Sequence, residues 1–235
     1  MPSKSLPMSA QLEKIAELDT CTVSNAIETF NVRLRNEGFA GGGARCRFPN
    51  FRSMLGYAAT GRIRSSFAPM SGRCYYDRID FWKYVASIPK PSVIVLQDVD
   101  HVPGFGAFVG EIHASIAMAL GSVGYITNGS VRDVPAIRHM GFHLFAGSLS
   151  VSHAYAHLVD FGEPVEIGGL KISPGDLLQG DRHGIITIPL ELISRIPEEA
   201  SKIRGEEREL INYCRSREFS LEGLAERLKG AEDCA

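Results

Sequence analysis

The chain has little of what would place a protein quickly. Its 235 residues contain no apolar run as long as the ~18 residues that a membrane-spanning helix requires. The N-terminal stretch MPSKSLPMSAQLEKIAELDT lacks the apolar core of a signal peptide. Together these absences lead us to expect a cytoplasmic protein with no membrane partner. No charge of either sign predominates: a formal net charge of -2 offers no global field to hold nucleic acid, so no nucleic-acid partner is expected. Cysteine is sparse. Cys21, Cys46, Cys74, Cys214 and Cys234 are odd in number and never spaced as CxxC, which reads as reduced thiols and gives no paired ligands for zinc. Internal repeats, low-complexity tracts and clear linkers are absent.

What remains is an ordinary globular balance. Hydrophobic residues make up 44% and charged residues 22%, and a chain this long buries a sizeable core in one domain with appendages. Residues 9–31 have helical spacing through Leu12, Ile15 and Leu18, and the pattern resumes from Thr22 toward Phe30. Residues 37–46 are a glycine-rich loop, and 56–66 alternate as a strand does. A helix is expected from Tyr76 to Ser87, stopped by Pro89 and Pro91. The β-branched run 92–97 reads as a buried strand, 111–120 as a helix closed by Gly121, 123–127 as a strand, 132–140 as a helix and 143–145 as a strand. This alternation argues for an α/β core with parallel crossovers. Beyond Val151 the expectations are a hairpin turning at Gly168-Gly169, a strand at 184–189 and a long charged helix over 190–217.

The chemistry is concentrated between Gly104 and Asp133. A strand, glycines and a helix start at Glu111 follow in order, and a helix start offers bare backbone N–H groups and a positive dipole end, suited to a carboxylate or phosphate. The glycines read G-x-G-x-x-x-G, one residue longer than a dinucleotide fingerprint, with bulky Phe105 and Phe108 between them; methyltransferase and dehydrogenase readings are therefore weak. Asn128-Gly-Ser-Val-Arg-Asp133 then places an arginine beside an aspartate at a second helix start. Chemistry on a 2-oxo acid needs a hard cation on the keto oxygen, positive charge for the carboxylate and developing enolate, and a group to move a proton. Magnesium is often held by one or two carboxylates and several waters. Asp133 suits such a ligand, Glu111 suits a place behind a metal-bound water, and Arg132 suits paired substrate oxygens. A capping role for Asp133 and a solvated face for Arg132 are the structural alternatives.

With these residues the sequence resembles the class II pyruvate aldolases of the 4-hydroxy-4-methyl-2-oxoglutarate and 4-carboxy-4-hydroxy-2-oxoadipate type, which share a fold with the regulator of RNase E activity A. The aldolase signature is an acidic residue, twenty residues, then Arg-Asp; here it is Glu111, residues 112–131, Arg132 and Asp133. The flanks VGEIHASIAMALGSVGYITNGSVRDVPAIRHMGF, PVEIGGLKISPGD and GDRHGIITIP carry the likeness over about residues 15–220. The resemblance implies an RraA-like swivelling β/β/α sandwich in a single domain over 1–235, with a core at about 15–189 and C-terminal helices at 190–230. It implies a metal-dependent lyase that releases pyruvate from 4-hydroxy-2-oxo diacids, decarboxylates oxaloacetate, or does both. By that resemblance Asp133 ligates magnesium or manganese directly, Arg132 binds pyruvate and steadies its enolate, and backbone N–H groups of the turn through Gly110, Ile112 and His113 receive the carboxylate. Glu111 acts through metal-bound water, and Glu207 of a neighbouring subunit completes the site of a homotrimer, or of a hexamer of two trimers. The sequence departs from the family at Glu111 (usually aspartate), Asn128 (usually aspartate) and His113 (usually aliphatic), which leaves room for a different 2-oxo acid. The alternative function in this fold is a non-catalytic regulator that binds RNase E.

Other residues are less directive. His113 combines a place in the turn with a side chain able to shuttle a proton or to pack. His101, the pair His153 and His157, and Asp181-Arg182-His183 read as turn, surface or packing residues. Arg62, Arg64 and Arg73, with Tyr75 and Tyr76, form a loose basic group from which one arginine could reach a distal carboxylate.

Overall fold

A computed structural model describes residues 8–69 and 78–229. Two short helices open it, α1 (Met8–Ala16) and α2 (Thr20–Glu28). The two helical segments expected within 9–31 are separated at Asp19, whose backbone is extended and whose carboxylate caps α2 by accepting the Thr22 N–H at 2.8 Å. The strands are β1 (Arg45–Cys46), β2 (Met54–Arg64), β3 (Ser92–Asp98), β4 (Ala107–Val109), β5 (Ser122–Val131), β6 (His143–Leu149), β7 (His157–Phe161), β8 (Val165–Ile167), β9 (Leu170–Ile172), β10 (Leu177–Asp181) and β11 (Gly184–Ile188). Between and after them run α3 (Ile79–Ser87), α4 (Glu111–Ala119), α5 (Val134–His139), α6 (Ile196–Cys214) and α7 (Leu221–Lys229). The expected start of α3 at Tyr76 lies outside the described residues, as do Arg73, Cys74, Tyr75 and Cys234; Cys21, Cys46 and Cys214 are free thiols.

The expected parallel core is present. β2, β3, β5 and β6 pair in parallel, while β10, β7 and β1 add antiparallel neighbours at the flanks. β3 shows why its run is apolar without alternation. Ile94 and Leu96 face a cluster under α3, α4 and α5, whereas Val93 and Val95 face a second cluster with Phe145 and the β8–β9 hairpin. Both faces are covered, so every position from Val93 to Leu96 is apolar. A third cluster joins α1, α2 and the start of α6 to β2, β10 and β11 through Leu12, Ile15, Val23, Ile186 and Ile196. Asp181 fixes that layer: its carboxylate accepts the Thr20 N–H and the Thr20 hydroxyl at 2.8 Å each. The family-like Asp181-Arg182-His183 turn thus supports α2, and the expected 190–217 helix begins only at Ile196, after a 3-10 turn at Leu190–Leu192.

Two boundaries differ near the predicted site. β5 runs on to Val131, so Asn128-Gly129 is not a turn. The Asn128 amide accepts the Asp98 N–H at 2.7 Å and donates to the Asp98 carbonyl at 2.9 Å, carrying the β3–β5 ladder on through a side chain beyond its last backbone pair, Leu96↔Thr127. Arg132 is outside α5, which starts at Val134 with Asp133 as its N-cap.

Candidate active site

The site is built by two strands that end side by side. β4 pairs in parallel with β5 through Ala107↔Ser130 and Val109↔Val131, and the Arg132 N–H donates to the Val109 carbonyl at 2.9 Å. Each strand then turns directly into a helix, β4 into α4 through Gly110 and β5 into α5 through Arg132-Asp133. The Gly110–Glu111 junction therefore touches the Arg132–Asp133 junction. Asp133 Oδ2 accepts the Glu111 N–H at 3.0 Å and lies 3.4 Å from Arg132 Nε.

Two backbone features make that approach possible. A Cβ on Gly110 would lie 2.5 Å from Asp133 Oδ2 and 3.3 Å from Arg132 Nε, so only glycine admits the carboxylate there. Asp133 sits in the left-handed region, φ 54 and ψ 31, which aspartate tolerates better than most residues. Its side chain makes no cap for its own helix and turns to α4 instead.

The first turn of α4 is open. Its first intrahelical bond runs from the Ala114 N–H to the Gly110 carbonyl at 3.0 Å, which leaves the amides of Ile112 and His113 without acceptors among the described residues. Arg132 Nε is shielded from solvent and has no hydrogen bond, and its terminal nitrogens make none among the described residues. The Glu111 carboxylate is exposed and makes no ion pair or hydrogen bond there. The arrangement presents amides and a guanidinium to an anion, beside one or two carboxylates that suit a hard cation. Such a donor set fits magnesium or manganese, which keep several waters. Among the described residues no three His, Cys, Asp or Glu side chains gather in a group that could hold a metal ion.

Not every predicted residue lies here. The His113 side chain is 2% exposed and packs away from the junction, with ring centroids 4.7 Å from Trp82 and 5.0 Å from Phe108. Neither ring nitrogen has a hydrogen-bond partner, and burial pushes the imidazole down to about 3. The imidazole is thus a neutral core group, and only its backbone remains at the turn. Within one chain Glu207 lies on α6, where its carboxylate accepts from Asn25 Nδ2 at 3.4 Å. Arg62 is engaged in a bidentate pair with Asp160 at 2.8 and 2.5 Å, which removes it as a reach to a distal carboxylate. His157 Nδ1 contacts the Tyr155 carbonyl at 2.8 Å, and His101 is exposed. Sequence reasoning missed the Glu111 amide–Asp133 contact; its one signal is a glycine immediately before the acidic residue.

The comparisons with known proteins agree with this architecture. A protein of Halalkalibacterium halodurans provisionally named 4-hydroxy-4-methyl-2-oxoglutarate aldolase is 28% identical over 102 residues, covering 43% of this chain and 49% of that protein. An uncharacterized protein of Methanocaldococcus jannaschii is 29% identical over 125 residues, covering 53% of this chain and 60% of that one. The chain thus matches less than two thirds of the length of these relatives. An uncharacterized Pseudomonas syringae protein has the same fold, with a TM-score of 0.69, 23% identity and coverage of 96% and 97% of the two chains. Streptomyces coelicolor RraAS2, a member of the RNase ES inhibitor RraA protein family, superposes with a TM-score of 0.64 and 18% identity, covering 92% of this chain and 100% of that one. The RraA-like family profile, Aldolase/RraA, matches residues 20–187, well over half of the sequence, and the chain belongs to the RraA-like family.

Proposed function

We propose that this chain is a divalent-metal-dependent carbon–carbon lyase that forms pyruvate from small 2-oxo acids, by retro-aldol cleavage of 4-hydroxy-2-oxo diacids, by decarboxylation of oxaloacetate, or by both. The observation that carries this reading is the meeting of Asp133, Arg132 and the Glu111 amide at two adjoining strand-to-helix junctions. Asp133 would hold magnesium or manganese directly, with Glu111 behind a bound water. The cation would supply positive charge opposite the keto oxygen. The open amides of Ile112 and His113, at the positive end of α4, would receive the substrate carboxylate. Arg132, whose nitrogens are otherwise unengaged, would hold the enolate oxygen as negative charge moves onto it. Glu111 would take a proton through water.

In this reading the working form is a homotrimer or a pair of trimers, with Glu207 of a neighbouring subunit reaching the site. A cytoplasmic location belongs to the same proposal; the described helices include none long and apolar enough to cross a membrane. Pyruvate release from oxaloacetate and from 4-hydroxy-4-methyl-2-oxoglutarate, with added magnesium or manganese, is the decisive assay. Activity should vanish with chelator and fall at least ~100-fold in Asp133→Ala, as expected when a group that stabilises developing charge is lost. Release that survives both treatments would refute the assigned site. A protein that acted solely by binding a ribonuclease would release no pyruvate at all.

A further inference from the structure

The carboxylate of Asp133 occupies the first amide of α4 and stands beside Arg132, next to the Ile112 and His113 amides that the proposed substrate needs. Its Oδ2 takes the Glu111 N–H at 3.0 Å and stands 3.4 Å from Arg132 Nε, so one oxygen sits between the first amide of α4 and the guanidinium. Among the described residues no other side chain caps that helix: Gly110 has no side chain, and Asp133 leaves its own helix uncapped. The oxygen also lies close against Gly110, since a Cβ there would approach it to 2.5 Å. Arg132 Nε is shielded from water and has no hydrogen bond of its own.

From this geometry, and resting on the proposed lyase reading, we infer that the chain guards its own carboxylate seat: Asp133 holds the Glu111 amide, and its charge stands beside the open Ile112 and His113 amides, until a divalent cation draws it off. Two carboxylates repel one another, so an incoming acid at the Ile112 and His113 amides meets a like charge beside it. When Asp133 turns to a cation, the amide is released and the local charge changes sign in the same movement. Cation and acid therefore bind in order, and the acid's affinity is conditional on the cation even for contacts that the acid makes with backbone alone.

The test follows the backbone amide resonance of Glu111 in the full-length protein, titrated with magnesium alone, with pyruvate alone, and with both. In wild type, magnesium alone should shift this resonance as its carboxylate acceptor departs. Pyruvate alone should leave it unmoved at concentrations that saturate the magnesium form. Asp133→Gly removes the carboxylate and suits a left-handed backbone; without metal it should bind pyruvate at least ~10-fold more tightly than wild type does without metal. Asp133→Asn keeps an acceptor oxygen, so its Glu111 resonance should respond to neither titrant. If magnesium leaves the wild-type resonance in place and pyruvate still binds, or if metal-free wild type and Asp133→Gly bind pyruvate equally, the inference is overturned. Should wild type release pyruvate from oxaloacetate with magnesium while that resonance never moves, the block falls and the lyase reading stands. A wild type that neither binds nor releases pyruvate under any condition removes both.

Discussion

His113 shows at single-residue scale how far a sequence position can mislead. It is two residues beyond Glu111 in the turn that faces the proposed substrate, yet its ring lies among Phe81, Trp82, Phe108 and Tyr125. Helical geometry accounts for this: the first amides of α4 point out of the helix end, while the side chain at the third position already faces the sheet. Burial lowers this imidazole to about 3, and burial together with the charge of Arg52 lowers His143, edge-on to Phe51, to about 4. Both histidines are neutral in the folded chain and become charged in the unfolded chain below the ordinary value of 6.5. The unfolded state therefore takes up more protons as pH falls, so the folded state loses stability from about 6.5 downward. His143 stops contributing below about 4 and His113 below about 3. Between pH 6.5 and 5, above most carboxylate titrations, each should cost roughly 1.4 kcal/mol per pH unit at the steepest. Denaturant unfolding across this window should show a shallower slope in His113→Phe than in wild type; an unchanged slope would remove His113 as a source.

At the scale of elements, Asn128 matters most. Its amide both accepts from and donates to the Asp98 backbone, holding β5 to β3 where the backbone ladder lapses. An aspartate at that position keeps the acceptor and loses the donor, and it sets a carboxylate oxygen against a carbonyl. Asn128→Asp should destabilise the fold by about 1–3 kcal/mol, read from chemical denaturation; a shift near zero would show that the ladder does not depend on this side chain. The same segment shows what was legible in the sequence. The parallel order of β2, β3, β5 and β6 and the two helix starts could be read, because apolar runs alternate with helical spacing. The end of β5 could not, since Asn-Gly is ordinarily a turn signal and here a side chain replaces a backbone pair. β4 was hidden because a strand of three residues between glycines has no alternation to display. The adjacency of Glu111 and Asp133 was expected from neighbouring units, but the contact between them depends on the left-handed backbone of Asp133, which no pattern announces.

For the whole molecule, the question is what covers the site. Phe105, Leu149 and Val151 are 66%, 58% and 98% exposed, and the Ser150 hydroxyl donates to the Phe105 carbonyl at 3.2 Å, so these apolar side chains emerge together at the end of the sheet that carries Arg132. In the proposed assembly one subunit's α6 would carry Glu207 to the neighbour's Asp133. Mixing Asp133→Ala with Glu207→Gln subunits tests it. Each is expected to be poorly active alone, and random reassembly should restore about a quarter of wild-type activity, because a quarter of the junctions then join two intact residues. No recovery would assign Glu207 to its own chain.

The stitch between Thr20 and Asp181 has a temporal consequence. It joins residues 161 positions apart, and β10, β11 and α6, which cover α1 and α2, follow the rest of the sheet in the chain. At roughly 5–20 residues per second on a ribosome, Thr20 emerges about 10–30 s before Asp181 does. The earlier segment is thus among the last to find its place, and its apolar face at Leu12, Ile15 and Val23 is not fully covered until β10, β11 and the start of α6 have been made.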